Sequence, residues 1–313
     1  MSTIGTKTWV RGVVALWLCA AASYAAAQAP VAISAGAHDE TLVVDGRVRH
    51  YRVYVPASAD TIARSLLIAL HGGNSSGVAF EAMTRLSALA DREGFVVVYP
   101  NAIGLYRGKP YWNDGRVPAV DDVGFIRRLI DELAHHYQID RARVYVTGFS
   151  NGASMTNRLG VELGDKIAAI APVAGTLGIR QAQRWQPLRV LPVLYFHGTT
   201  DPFAYYSGGS AGTWKGSSLS APDYAAWWAQ KNGCDPQPQG TALPDRIDDG
   251  TSITRVAYSC PVGADVVFYS IDNGGHTWPG GAPWALEAVT GIISRELDAS
   301  TEMWRFFQQH RLP

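Results

Sequence analysis

The 313-residue chain carries 27 Lys and Arg against 27 Asp and Glu, a balance that argues against nucleic acid or an anionic membrane as its main partner. With 47% hydrophobic and 17% charged residues, it has the composition of a globular protein able to bury a sizeable core, not of a disordered chain.

At the N-terminus, Lys7 and Arg11 precede an apolar run from Gly12 to Ala22, and Ala25-Ala26-Ala27 precede Gln28. These read as the n-region, h-region and cleavage site of an export leader over residues 1–27. The run is short for an anchoring helix, and Leu18 before Cys19 is too large for a lipidation site. Residues 28–313 are then expected to form a single exported domain, secreted or periplasmic and monomeric.

Residues 28–40 read as an irregular lead-in. Leu42-Val43-Val44 and the stretch 48–55 flank Asp45-Gly46, which predicts an antiparallel hairpin. Tyr51, Val53 and Val55 alternate with His50, Arg52 and Tyr54, as on a half-exposed sheet edge. The apolar run 65–70 predicts a central strand covered on both faces. A helix to about Arg92, capped by Gly94, and a strand over 95–99 complete a βαβ unit, and hence a mostly parallel sheet with helices on both faces. After a long loop over 101–118, Asp121 and Asp122 open a helix whose apolar face is Phe125, Leu129, Ile130 and Leu133. Two acids in a first turn serve as cap and dipole partners, with metal ligation as the sharper alternative. Strands are predicted over 143–147, 168–173, 192–196, 252–258 and 266–271. Helices are predicted over 222–232 and at the C-terminus around Met303, Trp304, Phe306 and Phe307. Cys234 and Cys260, an even count once the leader is removed, pair naturally as a disulfide in an exported chain; two reduced, buried thiols are the alternative.

Gly148-Phe149-Ser150-Asn151-Gly152 lies between a predicted strand and a predicted helix, the context in which G-x-S-x-G forms a nucleophile elbow. A serine hydroxyl needs a base beside it and an acid to orient that base. In elbow-bearing folds these follow the serine in the order acid, then histidine. His197, His276 and His310 follow Ser150. His310 ends an amphipathic helix and His197 precedes every plausible acid, so His276, in a glycine-rich loop after a strand, is the expected base. Asp201, just past a strand end, is the expected acid, with Asp272 as runner-up. The oxyanion donors are expected to be the N–H of Asn151 and one from His71-Gly72-Gly73-Asn74, Gly73 before Asn74. His71 reads as a loop organiser. Trp278, Trp112 and Trp284 are expected to wall the substrate pocket, with Tyr111 adding aromatic surface and core packing as the alternative for each. No His/Cys cluster suggests a metal, and this chemistry calls for no cofactor.

Leu70-His71-Gly72-Gly73, Asp121-Asp122-Val123, the elbow, His197-Gly198-Thr199-Thr200-Asp201-Pro202 and Gly275-His276-Thr277-Trp278-Pro279-Gly280 are collinear from about residue 40 onward. As a set they resemble the secreted esterase family of poly(3-hydroxybutyrate) depolymerases, LpqC-type esterases and bacterial feruloyl esterases. The resemblance implies an α/β-hydrolase fold, a Ser150-Asp201-His276 triad, a Cys234–Cys260 disulfide and cleavage of carboxylic esters. The expected substrates are feruloyl or short acyl esters of plant polysaccharide, or hydroxyalkanoate esters. A serine peptidase and a non-catalytic binding protein of the same fold are the competing readings. Two departures stand out. Gly73 occupies a place where relatives often carry Cys. The roughly 37 residues after His276 leave room for one or two helices rather than the polymer-binding domain of some depolymerases.

Overall fold

A computed structural model of the chain describes residues 1–2, 34–57, 63–115, 120–210 and 217–313. Contacts divide the chain into Met1–Ala32 and Ile33–Pro313, and everything described from Ser34 onward belongs to the second unit. The leader expected over residues 1–27 lies, apart from its first two residues, outside the described residues.

The chain opens with strands β1 (Gly36–Val44) and β2 (Arg47–Val55), joined through Asp45-Gly46, both at positive φ as a tight hairpin turn requires. The lead-in expected to reach residue 40 is therefore strand from Gly36, held partly by side chains: Arg52 pairs with Asp39, and Tyr51 donates to Glu40. Strand β3 (Arg64–Leu70) leads to helices α1 (Gly77–Thr84) and α2 (Leu86–Glu93) and then to β4 (Val96–Pro100). One helix was expected where two stand. The break is at Arg85, at φ 54°, where the Met83 and Thr84 carbonyls accept instead from Ala282 N–H and the Ser300 hydroxyl. The loop that follows folds back as a two-rung hairpin, β5 (Leu105–Tyr106) and β6 (Lys109–Pro110). Then come α3 (Asp122–His136), β7 (Ile139–Phe149), α4 (Asn151–Glu162), β8 (Ala169–Val173), α5 (Ile179–Arg184) and β9 (Val193–Gly198). The last elements are α6 (Ala221–Lys231), β10 (Gln239–Ala242), β11 (Ser252–Ala257), β12 (Val266–Asp272), α7 (Glu287–Thr290) and α8 (Ala299–Phe307).

Among the described residues ten strands form one sheet in the order β1-β2-β4-β3-β7-β8-β9-β12-β11-β10. The strands from β4 to β12 run parallel, β1 and β2 close one edge antiparallel, and β11 and β10 do the same at the other. The second antiparallel edge was not expected. The segment between β11 and β12 is too short for the crossover that a parallel pair needs. The Cys234–Cys260 disulfide ties the end of α6 to that segment.

Alternate residues of the buried strands feed two cores. Leu66, Ile68, Val96, Val98, Val144 and Val146 pack beneath α3, α4 and α6. Leu67, Ala69, Val97, Tyr99 and Tyr145 pack beneath α1, α2 and α8. Helices on both faces of a mostly parallel sheet make this the α/β-hydrolase architecture.

The two acids at the start of α3 take different roles. Asp121 caps the helix by accepting from Gly124 N–H. Asp122 is fully buried and accepts from Arg49 at 2.7 Å and from the Asn113 N–H at 2.7 Å. Arg49, only 2% exposed, lies over the Phe125 ring at 3.7 Å. Neither acid belongs to a cluster that could hold a metal among the described residues.

Candidate active site

Ser150 sits between the end of β7 and the first turn of α4, at φ 55° and ψ −117°, a backbone that few non-glycine residues adopt. The strain is sustained by close packing on both sides. A Cβ at Gly148 would collide with the Gly152 carbonyl, and one at Gly152 with the carbonyls of Leu70 and His71. The turn therefore presses the serine loop against the strand that delivers residues 71–74. It also makes Ser150 the N-cap of α4, whose first N–H groups have no intrahelical acceptor.

Asp201 leaves the end of β9 and is buried beneath the loop that bears His276. Its Oδ2 accepts from His276 Nδ1 at 2.7 Å, and its Oδ1 accepts from the N–H groups of Phe203 and Ala204, each at 2.8 Å. Burial works against the charged carboxylate, but the charge and hydrogen bond of His276, the neighbouring His197 and the Ala204 N–H together hold it below the usual carboxylate range. With Nδ1 engaged by the carboxylate, His276 keeps Nε2 for a second partner. The His276 backbone is clamped from both sides, its N–H donating to Thr290 at 2.6 Å and its carbonyl accepting from Trp284 Nε1 at 3.0 Å. Asp272, the runner-up acid, is exposed and accepts from the Thr199 hydroxyl.

His197 lies behind this pair. Its Nε2–H donates to the Ala204 carbonyl at 2.6 Å, its Nδ1 accepts from the Tyr195 hydroxyl, and burial lowers its basicity. A neutral, two-sided histidine thus pins the turn that aims Asp201. Only the sequence signal His197-Gly198-Thr199-Thr200-Asp201 hinted at this role, because the Ala204 contact depends on how the loop folds.

The oxyanion side is organised by the 71–74 loop and residues 111–114. The Asn74 N–H donates to the Pro110 carbonyl at 2.8 Å and is already used. The Gly73 and Asn151 N–H groups have no hydrogen-bond acceptor among the described residues, so the geometry favours Gly73 over Asn74. The Asn151 side chain accepts from Trp112 N–H at 2.7 Å and donates to Asp114 at 3.3 Å. His71 donates from Nδ1 to the Gly72 carbonyl at 2.7 Å and accepts at Nε2 from the Ala102 N–H at 3.1 Å. Burial pushes its pKa down to about 4, so it is a fixed neutral brace.

Two chambers, of about 420 and 740 Å³, meet at Ser150 and His276. Trp284, 46% exposed, borders both. The other two tryptophans expected at the pocket are not there. Trp278 is 1% exposed, packs edge-on against Phe80 and donates to Ser300. Trp112 is 0% exposed and donates from Nε1 to the His71 carbonyl at 2.9 Å. Each indole is held inside by a buried acceptor for its N–H. Tyr111 does line the smaller chamber, joined by Tyr106, Phe203 and Tyr205, none of which sequence reading singled out.

Comparisons with known proteins agree with this architecture. The family described as Esterase PHB depolymerase matches residues 49–205. A protein of Nocardia uniformis subsp. tsuyamanensis named "Putative esterase NocK" is 31% identical over 272 residues, covering 83% of this chain and 79% of that protein. Feruloyl esterase B of Piromyces equi is 31% identical over 68% of this chain, and poly(3-hydroxyalkanoate) depolymerase C of Paucimonas lemoignei 33% over 41%. The matches span 40% and 30% of those two relatives' own lengths. The solved structure of an acetyl xylan esterase from Aspergillus awamori superposes over 87% of this chain and 98% of its own, with a TM-score of 0.61 at 16% identity, a likeness of fold. No helix among the described residues is long and apolar enough to cross a membrane.

Proposed function

The chain belongs to the PHB-depolymerase family of esterases and is a carboxylic-ester hydrolase, and from that premise we propose that it acts by serine acyl transfer at Ser150. His276 Nε2 takes the hydroxyl proton as Ser150 Oγ attacks the ester carbonyl, and Asp201 holds the imidazole and balances its developing charge. The N–H groups of Gly73 and Asn151 receive the oxyanion, where fixed donors do more than water could. Collapse of the tetrahedral adduct breaks the C–O bond, and His276 returns the proton to the leaving alcohol. Water, deprotonated by the same imidazole, then releases the acid and restores Ser150. The observation that carries this reading is the buried, ionised Asp201 on His276 Nδ1, with His276 sharing two chambers with a serine in a left-handed elbow.

The substrates are feruloyl or short acyl esters of plant polysaccharide, or hydroxyalkanoate esters, in line with relatives named for feruloyl, acetylxylan and polyhydroxybutyrate esters. The enzyme is exported after loss of residues 1–27 and works as a monomeric single domain. The test is turnover of 4-nitrophenyl acetate and butyrate, methyl ferulate, hydroxybutyrate oligomers and a peptide by the protein and by Ser150→Ala. Ester turnover lost in Ser150→Ala is expected; turnover that survives the substitution would overturn the assignment.

A further inference from the structure

The two chambers differ in charge. Among the described residues, the larger is lined by uncharged side chains apart from His276, including Phe80, Met83, Phe149 and Pro283. The smaller is lined by Arg107 and Lys109, with no carboxylate among its described lining residues. Both cations ride on the β5–β6 hairpin, whose turn places Arg107 at φ 51° and Gly108 at φ 76°. That hairpin is built into the site. The Pro110 carbonyl accepts from Asn74 N–H at 2.8 Å, and Tyr111 N–H donates to the Gly104 carbonyl at 2.8 Å. The Arg107 guanidinium lies 5.5 Å from the Tyr106 ring centre, and Tyr106 leans on Tyr111 with ring centres 5.2 Å apart. Among the described residues neither Arg107 nor Lys109 makes an ion pair.

Two cations held at the mouth of a chamber containing Ser150, with no carboxylate among its described lining residues, produce a local positive potential over the path of one half of the ester. The guanidinium offers a planar fork of donors that matches a carboxylate, and the ammonium adds a point charge beside it. We propose that Arg107 and Lys109 select esters bearing a second, ionised carboxylate, which enters the smaller chamber while the uncharged half occupies the larger one. Such a substrate is a half-ester of a dicarboxylic acid or an ester of a uronic acid. The selection rests on ester hydrolysis at Ser150 and adds a substrate class to it.

The experiment uses two matched pairs. In 4-nitrophenyl hemiglutarate and its carboxamide the extra charge is on the acyl half; in 4-acetoxybenzoate and 4-acetoxybenzamide it is on the alcohol half. For each pair, the ratio of kcat/KM for the anionic to the neutral ester is compared between the protein and Arg107→Ala/Lys109→Ala, which cancels intrinsic reactivity. In one pair the ratio is expected to fall roughly tenfold in the double variant, about threefold for each single variant, as partly exposed ion pairs allow. The affected pair tells which half enters the smaller chamber. As a check that needs no variant, the same ratio in the unsubstituted protein should fall several-fold as NaCl rises from about 20 mM to about 500 mM. Ratios unmoved by both the substitutions and salt in both pairs would overturn the selection. Ser150→Ala, run alongside, separates the two readings: turnover surviving it defeats the nucleophile assignment, whereas Ser150-dependent turnover with unmoved ratios defeats only the cation selection.

Discussion

Replacing Asp122 by alanine removes the acceptor of two donors at once, the buried Arg49 Nη2 and the half-buried Asn113 N–H, each at 2.7 Å. Burial pushes the Asp122 carboxyl up and Arg49 down despite their contact, so for each group desolvation outweighs the partner's attraction. A pair of that kind contributes little over a well-packed apolar pair, yet it is costly to break from one side. Asp122→Ala strands a guanidinium that is 2% exposed and is left, among the described residues, with the Phe125 ring, the Asn101 carbonyl at 3.3 Å and the more distant charge of Asp121. The expected loss is about 3–5 kcal/mol, read as a lower midpoint in urea unfolding with an unchanged slope. Arg49→Met/Asp122→Leu should recover the part of that loss that comes from the stranded guanidinium, staying about 1–3 kcal/mol below the unsubstituted protein because the Asn113 N–H still lacks its acceptor. Its activity should not return with it. Asn113 lies between Trp112 and Asp114, both bonded to Asn151, and losing one buried acceptor there costs about 1–3 kcal/mol. If about half of that falls on the oxyanion geometry, kcat/KM for 4-nitrophenyl acetate drops roughly twofold to tenfold. A double variant as unstable as the single one would refute the desolvation argument. A stable and fully active double variant would refute the link between this ion pair and the site.

Asp201→Asn keeps the size of the acid but removes the charge that orients His276, and kcat on 4-nitrophenyl butyrate should fall roughly a thousandfold or more with KM little changed. A fall under about tenfold would point to another acid. His71 has a folded pKa of about 4 against about 6.5 unfolded, so below pH 6.5 the unfolded chain takes up a proton that the folded chain refuses. Stability is therefore unaffected above pH 6.5 and falls as the pH drops toward 4, by about 2 kcal/mol at pH 5 from this residue alone. Urea titrations of the protein and of His71→Gln at pH 7 and pH 5 should show a smaller pH difference in the variant; equal differences would sink this attribution. Cys234→Ser/Cys260→Ser opens a bridge between residues 26 apart in sequence and should cost about 3 kcal/mol in the chain-entropy view. A thermal midpoint unchanged by the double substitution would mean that the unfolded chain is already constrained there.

The parts of the architecture that follow from short-range rules could be read from the sequence. Asp45-Gly46 between alternating apolar residues can hardly be anything but a hairpin, and the unbroken run from Leu66 to Leu70 needs cover on both faces. The elbow shares this character in part: Gly148 is required by a backbone collision within one turn, whereas Gly152 is required by the distant carbonyls of Leu70 and His71. What could not be read depends on partners distant in sequence. The break at Arg85 is set by Ala282 and Ser300, roughly 200 residues on. The burial of Asp122 is set by Arg49, across 73 residues. The Asn74 N–H, which competes with Gly73 as the proposed oxyanion donor, is taken by Pro110, in a hairpin with no strand-like composition.

The three tryptophans show where sequence reasoning about a pocket stops. Trp112, Trp278 and Trp284 all lie in glycine- and proline-rich loops beside recognised motifs, so proximity in sequence ranks them alike. Their indole N–H groups separate them. Trp112 and Trp278 donate to acceptors behind the site, the His71 carbonyl and the Ser300 hydroxyl, and so each ring is drawn into the core. Trp284 donates to the His276 carbonyl, an acceptor at the mouth, which leaves the rest of its ring outside. Its anchor is the backbone of the proposed base, so Trp284 cannot move away from the chambers without loosening His276. The wall between the two chambers and the position of the base are thereby one structural unit. Trp284→Ala should accordingly do more than enlarge a pocket: it should lower kcat for a substrate as small as 4-nitrophenyl acetate, about threefold to tenfold for a lost hydrogen bond of roughly 1 kcal/mol. Trp284→His, which can restore an N–H donor, should recover part of that loss, whereas an unchanged kcat in Trp284→Ala would show that His276 is held without it.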